Sequence, residues 1–267
     1  MRLRQFVFVA EDLKAAVVDI GATLGLPVCF NDPGVGRFGL HNALLPIGGD
    51  LIEVVAPIRE GTTAGRYLQR RGGDGGYMII LQCDDAVAQR ERIAELGVRD
   101  IWRHDDDDCH ATHFHPADVP GAILSIDDMG PDGDHREKMS RWKWAGPNWQ
   151  AFVQDNFTKA LTAVEIQAEN PDAVAQRWSQ VLDMPLEQND ESNESRGMPA
   201  IKLDNAHIRF AADTDGRGLG IGAIDVVPAD RDNILEMADK FGLRHQSDHG
   251  GDQLLICGVR VNLVRAK

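Results

Sequence analysis

The feature that most constrains this chain is a strand-helix-strand unit that recurs four times along it. The first copy, QFVFVAEDLKAAVVDIGATLGLPV, is apolar and β-branched from Phe6 to Val9 and turns at Glu11 and Asp12. Leu13, Ala16, Val17 and Ile20 then recur at helical spacing until Leu24-Gly25-Leu26-Pro27 stops the helix. The second copy runs apolar from Met78 to Leu81, turns at Asp84 and Asp85, carries Val87, Ile93 and Leu96 on a helix and ends it at Gly97. In the third, Ala168-Glu169-Asn170 matches Ala10-Glu11-Asp12, and Leu182-Asp183-Met184-Pro185 matches Leu24-Gly25-Leu26-Pro27 without a gap. The fourth turns at Asp230, places Ile234, Leu235 and Met237 on the helix and ends at Phe241-Gly242-Leu243. Further strand-like segments follow each copy, clearest as VGRFGLHNALLPIG and DLIEVVAP in the first.

Each repeat therefore reads as a βαβββ module, which needs a second one to complete a sheet. Four such modules resemble the vicinal oxygen chelate superfamily of glyoxalase, bleomycin-resistance and dioxygenase-like proteins. The resemblance covers nearly the whole chain apart from the connection. It implies an α+β fold in which modules pair into two glyoxalase-like half-barrels, each with a concave face able to hold a ligand. The expected organisation is an N-terminal domain over 1–129 that carries the site, a connection over 130–157, and a structural C-terminal domain over 158–267. The connection, rich in Gly, Pro and charge, contains Trp142, Trp144 and Trp149, which are expected to anchor it to the domains rather than to form a ligand lid.

Charge and cysteine usage narrow the function classes. A formal net charge of −14, with no basic arm, opposes binding to nucleic acid or an anionic membrane. The first apolar run stops at Glu11 and Asp12, too short for a signal peptide or a spanning helix, so a cytoplasmic protein is expected. Cys29, Cys83, Cys109 and Cys257 are scattered without a CxxC pair, which fits reduced buried thiols. No GxGxxG, Walker, GxSxG or HExxH sequence stands between a strand and a helix. The expected partner is a small-molecule ligand or substrate, and a homodimer is compatible with this reading.

The resemblance also says where a metal would sit: each site module offers one ligand early in its first strand and one in its fourth. In the first module these positions hold Gln5 and Glu53, oxygen donors suited to magnesium, manganese, zinc or iron. The second module places Met78 and Ser125 there, so half the usual ligand set is missing. The stretch from Glu53 through Pro57, Leu68, Arg71, Gly73 and Gly75 is similar to methylmalonyl-CoA epimerases, but Tyr77 and Met78 stand where that family carries adjacent histidines. In CHATHFHPADVPGAILSID, His113 and His115 lie two apart and on a strand would share a face. With Glu53 and Gln5 they form a candidate set for one divalent metal (Zn, Mn, Fe or Mg), and a metal-free state with one histidine as general base is the alternative. The run Asp105 to Asp108 beside His110 reads as a solvated loop. Arg37 and Asn42 are candidate substrate contacts with Tyr77 and Ser125, and alternation allows only one of His41 and Asn42 to face inward. In the second half the four ligand positions hold Ala163, Arg209, Ala223 and Asn262, no metal set.

Two kinds of function follow as expectations. One is a lyase or isomerase acting on a small carbonyl or oxyacid compound, with Glu53, His113 and His115 as catalytic residues; an extradiol-dioxygenase-like enzyme is its variant. The other is a non-catalytic binding or sequestration protein of bleomycin-resistance type.

Overall fold

The structure is a computed structural model that describes residues 1–187, 197–248 and 251–265. Its elements follow the repeat. The first module comprises β1 (Arg2–Val9), α1 (Leu13–Leu24), β2 (Leu40–Ile47) and β3 (Asp50–Pro57), with a single bridge between Phe30 and Leu44 in place of its second strand. After α2 (Thr63–Arg71), the second module supplies β4 (Gly75–Gln82), α3 (Ala86–Glu95), β5 (Asp100–Asp106), β6 (Cys109–Phe114) and β7 (Ile123–Asp128). The third has β8 (Thr158–Ala168), α4 (Pro171–Leu182), β9 (Leu186–Glu187), β10 (Ala200–Lys202) and β11 (His207–Ala212). The fourth has β12 (Gly220–Pro228), α5 (Arg231–Lys240), β13 (Arg244–Asp248), β14 (Gly251–Ile256) and β15 (Val259–Leu263). This is the expected α+β architecture of four βαβββ modules.

The landmarks that align the repeats are helix N-caps. Asp12, Asp85, Asn170 and Asp230 each accept, through the side chain, the backbone N–H three residues on: Ala15, Ala88, Ala173 and Asn233. Each satisfies one of the orphan donors of a helix start. At the other end, Gly25 and Asp183 occupy the same left-handed cap, with φ of 67° and 53°. Gly25 also leaves no room for a side chain, because a Cβ there would lie 2.4 Å from the ring of Phe157.

The chain folds into two compact units that cut across the linear division at 129. One contains Met1–Gln5, Tyr77–Lys143 and Ala163–Gly222; the other contains Phe6–Gly76, Trp144–Thr162 and Ala223–Lys267. The second module thus groups with the third, and the first with the fourth. In the first unit β7 pairs parallel with β4 and antiparallel with β6, while β11 pairs parallel with β8 and antiparallel with β10. Arg92 of α3 donates to the carbonyls of Gln180 and Val181 at the end of α4, joining the two modules. In the second unit β3 lies between β2 and β1, and β15 pairs parallel with β12 and antiparallel with β14. There α1 packs on α5. Burial of Ile20, Leu24 and Ile234 stabilises the helix layer by roughly 1.5–3 kcal/mol for each side chain.

The connection is not a loose linker. Its Trp142 and Trp149 are fully buried, as anchoring requires, and belong to different units. In the first unit Arg4, itself fully buried, donates to the carbonyls of Glu137 and Lys138 and to Ser140 Oγ, and Gln82 donates to Gly133 O.

Candidate functional site

Glu53 stands in the middle of β3, whose hairpin with β2 is closed by Gly48 and Gly49, with Gly48 at φ 59° as a tight two-residue turn requires. The register sets Glu53 opposite Leu44 and Asn42 opposite Val55, so Asn42, Leu44 and Glu53 share one face. The other face, with Leu45 and Ile52, turns to α1: a Cβ on Gly21 would lie 3.5 Å from Leu45 Cδ2. Glu53 therefore lies on the face away from the helix, 6% exposed, with its Oε1 accepting from Asn42 Nδ2 at 2.6 Å. Of the neighbours His41 and Asn42, it is Asn42 that turns inward, 3% exposed, while His41 is exposed. The fourth module of the same unit presents a comparable group: Asn262 donates to Asp225 Oδ1 at 2.7 Å and accepts from Gln253 Nε2 at 2.7 Å.

The two histidines belong to the first unit and Glu53 to the second. His113 lies on β6 opposite Trp102 and Ser125, and its ring is 4.5 Å from the Trp102 indole. Burial lowers its pKa from the ordinary 6.5 to about 3, so the imidazole is neutral near pH 7. A base with so weak an affinity for a proton is a poor one at that pH, whereas a neutral ring can still ligate or pack. His115 lies beyond the end of β6, so the strand alternation expected of the pair does not reach it; its Nδ1 accepts from Ala117 N at 3.0 Å and closes a turn.

The other expected ligands and contacts lie on several elements. Gln5, in the first unit, gives its Oε1 to the Trp142 indole N–H at 2.8 Å. Ser125 is buried, with Oγ 2.5 Å from Asp127 Oδ1. Tyr77 sits on β4 three residues from Ile80, the parallel partner of Ser125, and so occupies the opposite face from that serine. Arg37 is not on a strand: it is exposed in a 3-10 turn, Pro33–Phe38, where its Nε donates to Gly34 O. Gln5, His113 and His115 belong to the first unit and Glu53 to the second.

Asp105, Asp106 and Asp108 of the β5-β6 hairpin are ion-paired at the surface. Lys143 reaches Asp106 at 2.5 Å and Asp108 at 3.1 Å, Arg141 also pairs with Asp108, and Arg90 bonds Asp105. Lys143 is the main cause of the lowered pKa of both Asp106 and Asp108. Among the described residues, Asp84, Asp134 and His135 bring ligand atoms within 4.8 Å of one another. Both nitrogens of His135 already face carboxylates, Nδ1 that of Asp84 at 2.8 Å and Nε2 that of Asp204 at 3.1 Å. Its members lie too far apart in the chain for any spacing motif to reveal them. Burial raises the thiols of Cys29 to about 11 and of Cys83 and Cys109 to about 12, in keeping with unreactive cysteines. No described helix is long and apolar enough to cross a membrane.

Comparison with known proteins agrees with this architecture. Ethylmalonyl-CoA/methylmalonyl-CoA epimerase of Cereibacter sphaeroides is 24% identical over 136 residues, which is 48% of this chain and 98% of that protein. A variant of 4-hydroxymandelate synthase from Streptomyces coelicolor superposes with a TM-score of 0.67 at 14% identity, over 93% of this chain and 77% of the other. A hypothetical protein from Staphylococcus aureus superposes with the same TM-score at 12% identity, over 99% of both chains. These two likenesses establish the fold. The family description "Glyoxalase-like domain" matches residues 6–182, and the chain belongs to that family, within the vicinal oxygen chelate superfamily.

Proposed function

We propose that this protein is an isomerase or lyase of the glyoxalase fold, in which Glu53 takes a proton from the carbon beside the carbonyl of a small carbonyl or oxyacid compound. The observation that carries the reading is the burial of Glu53 on the helix-free face of β3 with an amide N–H donated to it. A carboxylate kept from bulk water and oriented by a hydrogen bond is suited to proton abstraction, which contributes about 10²–10⁴-fold to such reactions. The C–H electron pair passes to the carbonyl as an enolate and the proton to a Glu53 carboxylate oxygen; return of a proton to carbon completes an isomerisation. The 24% identity to an epimerase supports this class of chemistry without specifying the substrate.

The test is exchange of the α-proton in D2O, followed by proton NMR over a panel of CoA thioesters and 2-oxo acids. A compound whose α-proton exchanges with the protein, and does so at least about 100-fold more slowly with Glu53→Gln, is the expected result. Exchange undiminished by that substitution removes the reading. One observation favours binding without turnover: Met78 and Ser125, at positions the superfamily uses for ligands, are both buried, and Ser125 bonds to Asp127. In that case compounds from the same panel raise the melting temperature and none is converted.

A further inference from the structure

Trp142, Trp149 and Trp178 are the largest fully buried side chains, and they differ in one respect. The indole N–H of Trp142 donates to Gln5 Oε1 and that of Trp178 to Pro120 O, each at 2.8 Å. The Trp149 N–H is buried and has no acceptor among the described residues. A buried indole N–H finds a partner as a rule, because the donor otherwise loses its hydration without compensation. Anchoring the connection needs only apolar area, which phenylalanine supplies without a donor to satisfy. The connection brings this donor to the Glu53 side of the first module. The bridge between Phe30 and Leu44 puts the Phe30 side chain on the face that Leu44 shares with Glu53, since cross-strand partners point the same way. Gly146 rests against that ring: a Cβ there would lie 2.5 Å from Phe30 Cδ2. Ala145 O lies 3.9 Å from Cys29 Sγ, and the short 3-10 helix Trp149–Phe152 follows beside β2. All of these residues belong to the second unit, with Glu53.

We propose that Trp149 is the hydrogen-bond donor for an oxygen of the compound bound at the Glu53 face: a carbonyl or carboxylate oxygen in the bound state, and the enolate oxygen as charge develops there. The inference rests on the reading of Glu53 as the base, to which it adds the oxyanion partner that such a base requires. A donor held by buried packing needs no rearrangement when charge appears, and it bonds an oxyanion more strongly than a neutral carbonyl. It also restricts the ligand class. An indole N–H only donates, so the group it meets is an oxygen acceptor, as in 2-oxo acids, their enolate analogues and thioesters, and not an amine cation.

The experiment follows the Trp149 indole by proton–nitrogen NMR of protein labelled at its tryptophans, with the resonance identified by its loss in Trp149→Phe. The probes are oxalate, a planar stand-in for the enolate of a 2-oxo acid, and the CoA thioesters and 2-oxo acids of the exchange panel. The indole proton moves downfield as one of them binds, and the dissociation constant rises about tenfold in Trp149→Phe, as for loss of one bond to a charged acceptor. Benzothienylalanine in place of Trp149 keeps the bicyclic ring and puts sulfur where the N–H was; it shows the same loss and covers the case in which phenylalanine loosens the connection. An indole resonance that none of the probes moves, or an affinity unchanged in both folded proteins, overturns the proposal. So does a cross-peak from the indole proton to water that persists at saturation, since the donor then serves a trapped water. Measuring α-proton exchange on the same samples separates the two ideas: a shifted indole in a protein that exchanges nothing upholds the donor and removes the base, and Glu53-dependent exchange with an unmoved indole does the reverse.

Discussion

His113 shows how burial decides what a side chain can do. Its folded-state pKa, about 3, lies below the 6.5 of an exposed histidine because the ring is desolvated. Between those values the unfolded chain binds a proton at this site that the folded protein does not, so stability falls as pH drops from 6.5 towards 3 and is fully restored above 6.5. Urea unfolding at pH 7 and pH 5 should show a smaller loss of midpoint on acidification for His113→Leu than for the parent; an equal loss would mean that the ring is solvated. Glu53 was reached through the resemblance, as the ligand position on the last strand of the first module, and the structure buries it there on β3. Asn42 was half-legible: alternation demands that it or His41 face inward, and only the hairpin register chooses between them. His115 misled because a same-face argument holds only inside a strand, and β6 stops at Phe114.

At the scale of elements, most of the fold was readable, because helix starts and stops are local chemistry. Asp12, Asp85, Asn170 and Asp230 announce their helices whatever the rest of the chain does, and all four cap in the structure. Asp12→Ala should cost about 1 kcal/mol of stability, read from chemical denaturation, since the bond to Ala15 N is lost without other contacts. A cost as small as that of an arbitrary surface substitution would show that water caps α1 equally well. The 3-10 turn holding Arg37 was not readable as such: GVGRFG has the composition of a strand end, and the turn is set by Pro33 with the Asp32 cap.

The pairing of modules was the least legible level. All four share one pattern of strands and helices, so nothing local distinguishes the first module's joining the second from its joining the fourth; the choice is made by packing between residues far apart in the chain. The observed grouping predicts that a fragment ending at residue 129 loses the third and fourth modules that complete the two units and keeps between its own modules the pairing of β1 with β4. Expressed alone, 1–129 should lack the near-ultraviolet circular dichroism and the single cooperative melt of the full chain; a sharp melt of the isolated fragment would contradict the grouping. The interleaving also bears on how the protein is made. As a ribosome releases the polypeptide, the first unit must await β11, which ends at Ala212, and the second must await β15, which ends at Leu263. Until then the early modules wait with uncovered sheet faces, the condition in which a partly made chain is prone to aggregate.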